Sequence, residues 1–135
     1  MMPEEQRERV LALLQAKAWE VIGASVYVTA FWQERELSIC FEGFREAEVW
    51  ALGQHWLAEL LDRLPALDTA AHGVIQAAVP GEDAGKLVLG DMVIYRDGHL
   101  ALGYDAGPSA AGEVYLYVRF DSNLQSAAEL IYEVY

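Results

Sequence analysis

From Met92 to Asp121 the chain reads MVIYRDGHLALGYDAGPSAAGEVYLYVRFD, and apolar and polar positions alternate through much of it. The alternation is strict over residues 113–121. Val114, Leu116, Val118 and Phe120 fall on one face, and Glu113, Tyr115, Tyr117, Arg119 and Asp121 on the other, the pattern of a half-buried antiparallel strand. Arg96-Asp97-Gly98-His99 separates two apolar runs. Asp-Gly there predicts a hairpin with a type I′ turn, whose two central residues both take positive φ. Strands are expected over residues 87–95, 100–104, 113–120 and 129–135, with Gly90 marking a bulge in the first. The small residues 105–112 read as a hairpin loop.

In the first half the period changes. Behind Pro3-Glu4-Glu5, a favourable helix start, Val10, Leu11, Leu14, Ala18, Val21 and Ile22 recur at helical spacing. They predict a helix over residues 4–22, stopped by Gly23. Two strands over 25–32 and 36–41 follow, turning Val26, Val28, Ala30 and Leu37, Ile39, Phe41 inward. Residues 44–64 form a strongly apolar helix on the stripe Val49, Leu52, Gly53, Trp56, Leu60 and Leu64, broadened by Trp50, Leu57 and Leu61. Pro65 is expected to end it, and Asp68 to cap a further helix over 69–79. The expected fold is a single α+β domain spanning 1–135. Its elements run α-β-β-α-(α)-β-β-β-β, and helices pack on one face of an antiparallel sheet of about six strands.

Composition sharpens this picture. Hydrophobic residues make up 54% of the chain, enough for one core without crosslinks. The single cysteine, Cys40, cannot form an intrachain disulfide, which points to a reducing compartment. No signal-peptide pattern opens the sequence and no apolar run approaches the roughly 18 residues of a spanning helix. A cytoplasmic, soluble protein is expected. The formal charge of −12 is spread through the chain, −8 before Lys86 and −4 from it onward. Such a field serves solubility, repels nucleic acid and anionic membrane, and steers basic partners toward the surface.

Candidate chemistry is sparse. His55, Glu59 and Asp62 share a helix face at i, i+4 and i+7, but one histidine without a second cluster falls short of a zinc set, and a solvated helix edge is the expected role. His72 and His99 stand alone. Cys40 has no basic neighbour, so it reads as a packed small residue. The Gly-rich run 103–112 lacks the Gly-Lys-Ser/Thr ending of a phosphate loop, and Ser109 has no nucleophile-elbow frame. No metal, cofactor or catalytic role is expected. What remains is the polar face of the sheet, which collects Tyr27, Tyr95, Asp97, His99, Tyr115, Tyr117, Arg119, Glu129 and Glu133. Tyrosine and arginine are favoured as interface anchors, although cross-strand tyrosine pairs also stabilise an exposed sheet.

An acidic, cysteine-poor α+β chain with a tail such as VIYRDGHLALGYDAG and GEVYLYVRFD resembles the small bacterial immunity proteins, which protect a cell from a polymorphic or contact-dependent-inhibition toxin. The resemblance covers residues 92–135 and the overall charge. It implies a non-catalytic protein that binds a basic partner such as a toxin nuclease domain, with Tyr95, Asp97, Glu113, Tyr115, Tyr117, Arg119, Asp121, Glu129 and Glu133 as candidate contacts. Two alternatives stand beside it. One is a small-ligand module with a pocket among Trp50, Trp56, Phe41 and Tyr104; the other is a subunit that forms a homodimer through its sheet or C-terminal strand.

Overall fold

The computed structural model of the chain describes residues 3–33, 35–51, 54–81, 83–110, 112–124 and 126–134. Side chains at positions 3, 50, 54, 55, 109, 126–130 and 132–134 fall outside that description. The order is α1 (Pro3–Gln15), β1 (Glu20–Ile22), β2 (Ser25–Trp32), β3 (Arg35–Glu42), α2 (Glu46–Ala51) and α3 (Gln54–Ala78). A single 3-10 turn over Ala84–Lys86 leads into β4 (Leu89–Tyr95), β5 (Leu100–Ser109), β6 (Gly112–Phe120) and β7 (Ser126–Val134). This is the expected α+β architecture in the expected order, with a short extra strand, β1.

The strands lie in chain order, and every neighbouring pair is antiparallel except β3 and β4, which run parallel. The sheet is therefore mixed where the sequence suggested all-antiparallel. α2 and α3 carry the chain back along the sheet between β3 and β4, and such a crossover returns the next strand in the same direction. The core lies between the helices and one sheet face. Leu57, Leu60, Leu61, Leu64, Leu67, Ala71 and Ile75 of α3 meet inward residues such as Val28, Ile39, Phe41, Ile94, Leu102, Tyr104 and Phe120, all buried.

Four local expectations are corrected. The first helix ends at Gln15, not residue 22. Lys17 adopts φ +53, and the amides of Lys17 and Ala18 return to the carbonyls of Leu14 and Leu13 at 3.1 and 2.9 Å, a closure usually built on glycine. The β-branched pair Val21-Ile22 then pairs as a strand, and Gly23, at φ +61, makes its turn into β2. α3 runs 25 residues straight through Pro65. Its buried stripe continues on both sides of the proline, which is itself exposed, and that packing outweighs the ~3 kcal/mol cost of an interior proline.

The turn after β4 is not type I′. Gly98 takes φ +89 but Asp97 stays out of the positive region. The Gly98 amide donates to the Tyr95 carbonyl, and the Tyr95 amide to that of His99, both at 3.0 Å, as in a three-residue hairpin loop closed by a left-handed glycine. The Asp97 carboxylate holds the loop by accepting from the His99 amide at 3.0 Å. Finally, most of the expected loop 105–112 is strand: Gly107, Pro108 and Ser109 pair with Val114, Glu113 and Gly112 beyond a bulge between Asp105 and Gly107. The bulge expected at Gly90 is present, as a register shift between Leu89 and Asp91.

Candidate functional site

The sheet face turned away from the helices carries two adjoining hollows. Cross-strand register sets Tyr27, Cys40, Val93, Ala101 and Arg119 in one row, and Ser38, Asp91, Gly103, Tyr117 and Ile131 in the next. Glu42 pairs with Tyr95 in a third row. The small residues Ser38, Cys40, Ala101 and Gly103 keep the middle of the sheet low. Tyr27, Tyr95 and Tyr117 stand around it as walls, and the hollow they bound measures about 380 Å³. Gly103 is required here. A β-carbon on it would lie 2.5 Å from Cε1 of Tyr117 and 3.0 Å from Cβ of Asp91, so the Tyr117 ring rests on the glycine backbone.

A second hollow of about 510 Å³ adjoins the first, lined by Asp91, Glu113, Tyr115 and Tyr117. Asp91 and Tyr117 belong to both. Among the described residues, the charged ones lining the two are Glu42, Asp91 and Glu113, all acidic. The Tyr115 hydroxyl is raised above its ordinary pKa, first by the charge of Asp105, with burial, Glu113 and Asp91 adding to it. Tyr27 is raised chiefly by its hydrogen bond to Cys40, and the Cys40 thiol is raised chiefly by burial. The Arg119 guanidinium lies 5.3 Å from the centre of the Tyr95 ring, within cation–π range.

Of the residues expected to form this surface, Tyr95 and Tyr117 line the main hollow and Glu113 and Tyr115 the second, with Arg119 over Tyr95. Asp97, His99 and Asp121 do not belong to it. Asp97 caps the turn at His99, and the Asp121 carboxylate accepts from the Asn123 amide at 2.9 Å in the turn after β6. The side chains of Glu129 and Glu133 lie outside the described residues; the backbone register sets Glu133 opposite Tyr115. Sequence reasoning missed Ser38, Cys40, Glu42, Asp91 and Val93 as members of the site. Their outward alternation was visible, but the parallel β3–β4 pairing that makes them neighbours was not.

The other candidates resolve structurally. Asp62 accepts two hydrogen bonds from Arg7 of α1, at 2.9 and 3.0 Å, and the His55 side chain lies outside the described residues. Among the described residues no three His, Cys, Asp or Glu side chains are grouped to hold a metal. Phe41 and Tyr104 are fully buried in the core cluster, Phe41 edge-on against Phe44 and Tyr104 bonded to Asp68; Trp56 is exposed, and the Trp50 side chain lies outside the described residues. No described helix is long and apolar enough to cross a membrane. The chain matches no family model, no curated protein and no solved structure.

Proposed function

We propose that this chain is a non-catalytic binding protein that receives a basic protein partner on the tyrosine-lined face, acting in the cytoplasm as an immunity protein against a toxin. The observation that supports this reading most directly is the pair of adjoining hollows, which share Asp91 and Tyr117 and are lined by acidic charges and tyrosines. The whole-chain charge of −12 would hasten encounter with a cationic surface. A nuclease toxin needs such a surface to hold phosphate, and an acidic protein seated on it would exclude the substrate.

The test is capture of a partner from the source cell's lysate at low and high salt, with wild type beside Asp91→Asn and Tyr117→Ala. A basic protein reconstituting one-to-one with the purified chain, weakened by salt and by both substitutions, is the expected result. A partner indifferent to both substitutions would place binding elsewhere on the molecule.

A second reading, self-association through a sheet edge, is favoured by one observation. Val21, Ile22 and Phe31 at the β1–β2 edge are 54%, 57% and 60% exposed, and exposed apolar edges invite pairing with another chain. Solution mass by light scattering decides it: a stable dimer that Phe31→Lys dissociates would support this reading.

A further inference from the structure

We infer that the hollow between Tyr27, Tyr95 and Tyr117 takes a guanidinium group, presented by an arginine side chain of the partner; this rests on the reading of that face as a binding surface. The hollow's volume of about 380 Å³ lies at the low end of small-molecule pockets and has room for a guanidinium with the alkyl stem that presents it. Its charged lining residues, Glu42 and Asp91, are both acidic and stand among three tyrosine rings. An apolar guest would lie against those carboxylates without offering them a donor.

A guanidinium satisfies both demands at once. It is planar and weakly hydrated, stacks on aromatic faces, and bonds a carboxylate through a two-pronged fork, whereas an ammonium is compact and strongly hydrated. The protein already shows the stacking half of this mode, since Arg119 lies over the Tyr95 ring. The floor suits it as well. Gly103 and Ala101 place no bulk between Asp91 and the rings, and the Tyr117 ring lies back on Gly103.

The test is NMR titration of the full chain, isotope-labelled in its tyrosines, with methylguanidinium, methylammonium and an extended peptide carrying one arginine. Saturable shifts at Tyr27, Tyr95 and Tyr117 are expected with methylguanidinium. Methylammonium should bind at least about fivefold more weakly, and the peptide about tenfold more tightly than the free cation. Asp91→Asn, close to isosteric on a partly exposed strand, should weaken the guanidinium about tenfold. Equal response to both cations, shifts that never saturate, or an unchanged affinity in Asp91→Asn would overturn the assignment. Free methylguanidinium binding as tightly as the peptide would overturn the arginine source and point to a small metabolite. Salt-sensitive partner capture surviving in a variant that has lost guanidinium binding would refute the hollow and leave the binding face standing. A titration that succeeds where no partner is captured would do the reverse.

Discussion

The hydroxyl of Tyr104, in β5, donates a hydrogen bond to the carboxylate of Asp68, in the middle of α3. One turn further along α3, His72 Nε2 lies 3.0 Å from the carbonyl of Leu87, which can only accept, so that nitrogen carries the proton. The two rings sit 5.1 Å apart. Helix, central sheet and the segment entering β4 are thus joined by one polar cluster at the edge of an otherwise apolar layer. Tyr104 is fully buried, so its hydroxyl would cost free energy without Asp68. The bond fixes how α3 lies on the sheet, on the side opposite the tyrosine hollow.

Tyr104→Phe should therefore lower stability by about 2 kcal/mol, as for a hydrogen bond to a charged group in a partly dry setting. Urea unfolding at neutral pH measures this. Guanidinium or partner binding should be unchanged, because the lost hydroxyl faces the helices. A loss of binding equal to that of Asp91→Asn would show that the two faces are coupled.

The same residue gives the protein an alkaline limit. Burial, first, and the bond to Asp68 push the Tyr104 hydroxyl far above the ordinary tyrosine range. The folded chain keeps this proton where the unfolded chain, titrating near pH 10, has lost it. Its contribution is complete below about pH 10 and declines as pH rises beyond, by up to ~1.4 kcal/mol per pH unit for one proton. Unfolding free energies measured from pH 8 to 11.5 should fall more steeply for wild type than for Tyr104→Phe. Tyr27 and Tyr115, also raised, act in both proteins, so the difference isolates Tyr104.

Pro65→Ala should stabilise the protein. Position 65 is on the exposed side of α3, within a continuous helix. Alanine there restores an amide that can reach the Leu61 carbonyl and removes the ring's clash with the preceding turn, a gain of about 1–3 kcal/mol. Thr69 Oγ1 donates to the Pro65 carbonyl at 3.1 Å and has no reason to move. An unchanged or lowered urea midpoint would mean that the helix is bent at this proline and that the core is fitted to the bend.

Why Pro65 misled and the strands did not follows from where each signal is written. Alternation in β2, β3 and β6 is local, and their inward residues Val26, Ile39 and Val118 are buried as expected. A proline reports only its own lost bond; the weight of leucines on both sides of it is a tertiary quantity. Lys17 likewise holds a left-handed helix end that sequence normally signals with glycine. The hollow was half legible. Tyr95 and Tyr117 stood out on one face of their strands, while Asp91 and Cys40 became members only once β3 and β4 paired side by side, Ser38 with Asp91 and Cys40 with Val93, 53 residues apart along the chain and held by a crossover. No local pattern encodes that pairing.

Gly103→Ala tests the hollow's construction directly. The added methyl would fall 2.5 Å from Cε1 of Tyr117 and 3.0 Å from Cβ of Asp91, so the ring must swing off the sheet. Two effects oppose each other. Alanine gains about 0.5–1 kcal/mol over glycine in a strand through reduced chain entropy, and the forced shift costs about 1–3 kcal/mol. Tyr117 is only half-buried and its ring has solvent to move into, which puts the cost at the low end and the net change in stability within about 1 kcal/mol. Binding should suffer much more, because the displaced ring is a wall of both hollows. The expected result is a protein of near-normal urea midpoint whose Tyr117 ring resonances have moved and whose guanidinium affinity has dropped. Gly81→Ala, where an added β-carbon meets nothing within 4 Å, is the control and should leave both readings unchanged. Unmoved Tyr117 resonances in Gly103→Ala would show that the ring does not rest on the glycine in solution, and the wall of the hollow would have to be sought elsewhere.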